Sequence, residues 1–134
     1  MRLVDEPEDS VHAREAGGPG WALSLHGAYE FGGPAAVREL PGGDAWMDVI
    51  ERSPESEQHL AVHAQHCVGL NEADSAAWAA GGSVTLRDVT LSGTRSQVRD
   101  KVQELAANGV SEVVFQPCGS DVERELERFL EAAR

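Results

Sequence analysis

The sequence predicts a helix-rich α/β fold, and its last third carries the observations behind that prediction. Residues 84–91 are β-branched and partly alternating, which is typical of a strand. Residues 112–116 form a short apolar segment that Pro117 ends, as expected of a second strand. A helix is predicted after each segment, which gives the order β, α, β, α. Because this order normally joins neighbouring parallel strands through crossover helices, we expect a parallel sheet.

The two helices of this region are predicted from their N-terminal capping signals. Thr94 and Gln97 have the spacing of a capping box, and apolar residues then recur at helical spacing up to an Asn-Gly stop. Ser120 and Glu123 repeat the capping spacing ahead of a last helix over residues 121–133. Both helices are expected to pack on the sheet.

The first eighty residues predict helices divided by glycine and proline. A turn over residues 17–20 is followed by a helix that is apolar around much of its circumference and that residues 32–34 end. Asn71 is the expected N-cap of a short alanine-rich helix. Residues 57–70 fit either a helix or a strand. Shorter helices are expected over residues 34–40, 44–52 and 72–80.

The chain is strongly acidic: its 134 residues include 11 Lys and Arg against 23 Asp and Glu, a formal net charge of −12. This charge opposes attraction to phosphate backbones, so nucleic acid is not an expected partner. No segment approaches the roughly 18 apolar residues of a membrane span, and the N-terminus lacks the apolar core of a secretory signal. Cys67 and Cys118 stand far apart, which favours two buried thiols over a disulfide or a zinc ribbon. We expect a single cytoplasmic domain over residues 1–134, bound to neither nucleic acid nor membrane.

One cluster of ligand-type side chains stands out, made of His59, His63, His66 and Cys67. On a helix the three histidines share one face, which a zinc ion can use through Zn–N bonds of about 2.0 Å. On a strand, His66 would lie opposite the other two histidines. The spacing leaves open metal ligands, the lining of a cofactor or substrate pocket, and structural histidines hydrogen-bonded to the backbone.

Six segments of the chain carry a resemblance to a known family. They are, in order, residues 26–30, 59–63, 66–74, 91–99, 107–117 and 125–129. Together they resemble the C-terminal part of luciferase-like flavin-dependent oxidoreductases. The similarity is closest to the branch that uses deazaflavin coenzyme and includes methylenetetrahydromethanopterin reductase.

The resemblance implies the C-terminal portion of a (β/α)8 TIM-type barrel, truncated on the N-terminal side. Residues 112–116 would be its last strand and residues 121–133 its last helix. A complete barrel takes roughly 250 residues, about twice this length. In the family the first strands shape much of the flavin site, so the implied activity requires self-association or the missing N-terminal half.

The function that the resemblance implies is that of a monooxygenase or reductase that moves hydride between a flavin and a small organic substrate. The cofactor would be deazaflavin (coenzyme F-420) or FMN, with His63, His66, Gln116 and Gly119 as its binding residues. Gln116 and Gly119 would lie at the C-terminal rim of the last strand, where barrel enzymes gather their functional groups. The family is metal-free, so no metal ligand is expected, and no catalytic residue is singled out.

A second hypothesis is a catalytically silent α/β remnant that acts as an interaction module. Half a barrel has two open sheet edges, and their unpaired backbone groups pair readily with another chain. This hypothesis predicts homo-oligomers with a strand edge in the interface.

Overall fold

All regular secondary structure in the described part of the chain is helical. The computed structural model describes residues 11–134, apart from the side chain of His12. The α-helices of these residues are Val11–Arg38 (α1), Gly43–Ile50 (α2), Gln58–His63 (α3), Glu72–Ala79 (α4), Leu86–Val89 (α5), Arg95–Ala107 (α6) and Val122–Ala133 (α7). Two 3-10 helices, Glu55–Glu57 and Gly82–Thr85, precede α3 and α5. Within residues 11–134, each helix is too short or too polar to cross a membrane.

The predicted α/β fold is wrong for residues 11–134, which contain no β-strand. Residues 84–91, predicted as extended, lie largely in the 3-10 helix Gly82–Thr85 and in α5. Residues 112–116 are neither helix nor strand. The described chain is therefore not the C-terminal portion of a (β/α)8 TIM-type barrel, and it has no sheet edge through which copies could pair.

Packing against α1 accounts for the helical conformation of residues 84–89. The strand preference of β-branched residues depends on contact with a neighbouring strand, which is missing here. Val84 faces solvent, whereas Leu86 is buried against α1. A Cβ atom at Gly17 would lie 3.0 Å from Leu86 Cδ1, so the glycine allows this close approach. Residues 17–20 thus lie inside α1, and the turn predicted for them is wrong.

α1 kinks where the sequence predicts its end. Gly33 has φ 72° and ψ −174°, outside the helical region and in a conformation that favours glycine. The helix resumes at Pro34, which is tolerated because proline suits the first turn of a helix. The break predicted over residues 32–34 is therefore a kink between two helical segments. The helices predicted over residues 44–52 and 72–80 correspond to α2 and α4.

A tryptophan-rich core joins α1, α2 and α4. Trp21 of α1 and Trp78 of α4 meet edge to face, with ring centroids 5.2 Å apart. Other buried side chains of this core are Leu25, Trp46, Met47, Ile50, Val62 and Leu86. Two buried polar side chains, His26 and Asp74, border the core and belong to the candidate site.

A smaller apolar cluster joins α6, α7 and the segment between them. Phe115 stacks on Phe129 of α7 with ring centroids 4.3 Å apart, and Val98 of α6 is buried in the same cluster. Residues 112–116 therefore contribute apolar side chains to the packing without forming a strand.

The N-termini of α6 and α7 show how far the capping predictions hold. The capping box of α6 is confirmed: the Thr94 side chain accepts from the Gln97 backbone, and the Gln97 side chain accepts from the Thr94 backbone. The cap of α7 is displaced by one residue. Asp121, not Ser120, accepts a hydrogen bond from the Arg124 backbone N–H.

Candidate metal centre

Three histidines from two separate parts of the chain meet at the surface of the tryptophan-rich core. His26 lies in α1, His63 is the last residue of α3, and His66 follows in the adjoining turn. One ring nitrogen of each lies within 4.8 Å of those of the other two. The Nδ1 atom of His66 is 3.2 Å from Nδ1 of His26 and 3.4 Å from Nδ1 of His63.

The backbone after α3 brings His66 back towards His63. Ala64 leaves the helical conformation with ψ 131°, and Gln65 and Cys67 adopt positive φ values of 59° and 63°. Such values are uncommon for residues other than glycine and turn the chain sharply. A backbone hydrogen bond of 3.2 Å from His66 N–H to His63 C=O closes this turn.

Asn71, the N-cap of α4, holds this turn in place. Its side-chain amide lies 3.1 to 3.3 Å from three carbonyl oxygens at the end of α3, those of Ala61, Val62 and Ala64. Its side-chain oxygen accepts from the Asp74 backbone N–H at 2.8 Å, which confirms the predicted N-cap. The position of His63 and His66 is thereby tied to the first turn of α4.

Two of the three histidine rings contact a carboxylate through Nε2, the ring nitrogen that faces away from the shared space. His26 Nε2 lies 2.9 Å from Asp74 Oδ1, and His63 Nε2 lies 3.0 Å from Glu30 Oε1. An ionised carboxylate can only accept hydrogen bonds, so both Nε2 atoms carry a proton. When these imidazoles are neutral, their Nδ1 atoms present lone pairs to the space that the three rings share.

His66 faces these two lone pairs and cannot satisfy both fully. Its Nδ1 atom carries at most one proton, whereas both neighbouring Nδ1 atoms are acceptors when their rings are neutral. Partial loss of hydration beside the neighbouring rings, together with the imidazoles of His26 and His63, lowers the pKa of His66, although Asp74 acts in the opposite direction. The neutral form of the His66 imidazole is therefore favoured at neutral pH. A cation among the three nitrogens would pair with all of the lone pairs at once.

Asp74 is a buried hydrogen-bond acceptor that holds several parts of the site together. Its side chain is 1% exposed and accepts hydrogen bonds from three donors. Besides the His26 ring, these are the Trp46 indole N–H at 2.8 Å and the Asn71 backbone N–H at 3.2 Å. Because every donor belongs to a different element or loop, the carboxylate fixes the orientation of the His26 ring relative to α2 and α4.

The residues predicted to bind a cofactor do not share one cavity. His63 and His66 lie together, but Gly119 lines a cavity of about 340 Å³ beside the start of α1, together with Arg14 and Leu70. Neither the two histidines nor Gln116, which is exposed, lines that cavity. Gly119 is packed so closely against α1 that a Cβ atom there would lie 2.6 Å from the Glu15 carbonyl oxygen.

One histidine of the predicted cluster lies outside the group that the structure brings together. His59 is exposed and outside the group of three, whose third member is His26. The sequence does contain a signal for this part of the site: His26 and Glu30 are four residues apart, a spacing that places them on one face of a helix. The Asn71 to Asp74 capping spacing is the corresponding signal for the buried carboxylate.

The two cysteines lie outside the histidine group. Both are free; Cys118 is buried and Cys67 is half-buried. Burial raises the pKa of the Cys118 thiol, which keeps it protonated at neutral pH.

Comparison with protein-family models, curated proteins and solved structures finds no match to this chain. The resemblance to luciferase-like oxidoreductases therefore stays a prediction, and the histidine group is the feature from which a function can be argued.

Proposed function

We propose that this protein binds a zinc ion through the imidazoles of His26, His63 and His66. The observation that carries the proposal is the convergence of three histidine rings, each with one ring nitrogen within 4.8 Å of those of the other two. Nitrogens bound at about 2.05 Å to a tetrahedral ion lie about 3.3 Å from one another. The two Nδ1 separations that involve His66, 3.2 and 3.4 Å, bracket this value.

The outer contacts of the histidines support the same function. Metal-bound histidines commonly donate their second ring N–H to a carboxylate, which fixes the ring and raises its basicity. Asp74 and Glu30 occupy these positions for His26 and His63. Their two negative charges also offset the charge of a divalent cation, and the net charge of −12 favours cation approach.

The donor set favours zinc over the common hard cations. Imidazole nitrogen suits Zn²⁺, Cu²⁺ and Ni²⁺, whereas Mg²⁺ and Ca²⁺ take oxygen ligands. The two separations that involve His66, 3.2 and 3.4 Å, suit the tetrahedral geometry that zinc prefers. We therefore expect zinc, and Co²⁺ as its tetrahedral substitute, to bind in preference to magnesium.

Metal analysis of protein purified without a histidine tag tests this proposal. After incubation with excess zinc and gel filtration, we expect about one equivalent of zinc per chain and a higher unfolding temperature than that of the chelator-treated protein. Magnesium in the same protocol should not be retained. Less than about a tenth of an equivalent of zinc would contradict the proposal.

A second candidate function is the hydride transfer implied by the luciferase-like resemblance, with FMN or deazaflavin as cofactor. It is supported by the six segments quoted above, three of which contain His26, His63 and His66. This candidate predicts a saturable change in flavin fluorescence when the purified protein is titrated with FMN or with deazaflavin coenzyme. No change with either, at concentrations well above micromolar, would contradict it.

A further inference from the structure

We infer that this centre keeps an open fourth coordination position, where a zinc-bound water can be exchanged for a small anion from solution. The inference rests on the proposed zinc function and adds to it the class of external ligand. Zinc sites that serve only structure are closed by four protein ligands, whereas three protein ligands leave a position for water or substrate.

Within the part of the chain that the structure describes, the three histidines have no fourth partner of ligand type in their group. No further described side chain of His, Cys, Asp or Glu offers a ligand atom that lies within 4.8 Å of all three converging nitrogens. Cys67 directly follows His66 in the sequence but is not a member of the group. The described residues therefore supply three donors to an ion that prefers at least four.

The two nearby carboxylates are held away from the shared space. Asp74 and Glu30 contact the Nε2 atoms of His26 and His63, on the opposite side of each ring from Nδ1. Asp74 is also fixed by the Trp46 indole. Either carboxylate would have to give up its hydrogen bond to a ligand histidine in order to reach the ion, so neither is the fourth ligand.

The open side of the group faces solvent. His26 is 3% exposed and forms the floor of the site, whereas the His63 side chain is 41% exposed and His66 is also exposed. A water molecule or a small anion can therefore approach the ion from the side of His63 and His66. The exchange is balanced, because one water leaves as one anion binds.

The external ligand should be small and singly charged. Neutral imidazoles leave the ion with its full double positive charge, which favours an anionic donor. Asp74 and Glu30 already offset this charge, so affinity for the anion should be modest. The shared space is bounded by three rings with centroids 5.2 to 5.8 Å apart, which suits azide or a single carboxylate oxygen better than a chelating group.

Cobalt substitution allows the open coordination position to be detected by absorption spectroscopy. Co²⁺ replaces zinc in nitrogen sites and has visible absorption bands that report its coordination. We expect the purified full chain loaded with Co²⁺ to show bands that change saturably when millimolar azide is added. Perchlorate at the same ionic strength is the control and should leave the spectrum unchanged. The His59→Ala variant should respond to azide like the wild type.

The outcomes separate this inference from the function on which it rests. If the chain takes up Co²⁺ but its spectrum is indifferent to azide, the centre is closed and the inference is wrong. If the chain takes up neither Co²⁺ nor zinc, the proposed metal function itself fails. A perchlorate response equal to that of azide would also overturn the inference, because it would reflect ionic strength.

Discussion

Replacing His66 by alanine is expected to lower zinc affinity more than about 100-fold, because mutation of the outer partners alone typically costs 10- to 100-fold. His66 contributes the nitrogen that lies close to both other histidines. Its side chain is exposed, so the alanine variant should fold normally. Competition with a chromogenic chelator measures the affinity, and circular dichroism checks the fold.

His59 provides a matched control for this prediction. It is also an exposed histidine, and it lies in α3 four residues before His63. Since His59 is outside the group, His59→Ala should bind zinc like the wild type, whereas His63→Ala should resemble His66→Ala. Equal losses in the His59 and His66 variants would point to non-specific histidine binding and contradict the proposed site.

Replacing Asp74 by alanine is expected to lower the free energy of unfolding by about 3 to 5 kcal/mol, the cost of leaving buried polar partners without an acceptor. Trp46, His26 and the Asn71 backbone all donate to this carboxylate. None of the three finds a replacement acceptor in an alanine side chain. Urea unfolding in the presence of chelator measures the effect on the metal-free protein.

Asp100 serves as a control that separates the effect of the buried hydrogen bonds of a carboxylate from the effect of its charge. It is an exposed aspartate in α6, so Asp100→Ala removes the same charge without leaving a buried donor unpaired. That variant should change stability by no more than about 0.5 kcal/mol. If Asp74→Ala were as stable as Asp100→Ala, the hydrogen bonds to Asp74 would not stabilise the fold as predicted.

Local signals in the sequence predict helix starts well because they depend on a few neighbouring residues. The Asn71 cap and the Thr94 and Gln97 capping box are confirmed, since each is made of hydrogen bonds within four residues. The cap of α7 is missed by one position because Ser120 and Asp121 are both good capping residues.

The strand predictions fail for the opposite reason. β-branched residues over 84–91 and 112–116 favour a strand only when another strand supplies their hydrogen bonds and side-chain contacts. Residues 11–134 contain no such partner strand. Leu86 and Phe115 instead pack in clusters formed by helices. The barrel implied by the resemblance depended on those strands, so it fails with them.

The candidate site could be predicted only in part. His63 and His66 are close in sequence, so a tight turn after His63 is enough to bring their rings together. The spacing groups His59 with them, and a helix continuing to residue 66 would align all three, but α3 ends at His63. His26 joins them through the packing of α1 against the core, which spacing along the chain cannot reveal.

The bonds of Asn71 have a consequence for the order of folding. They join residues 61–64 to the start of α4, all within ten residues, and we expect such short-range contacts to close before longer ones. His26 is 40 residues from His66 and arrives only when α1 docks. During folding a zinc ion would therefore meet a half-site of two histidines, and by binding there it would favour the docking of α1 that completes the centre.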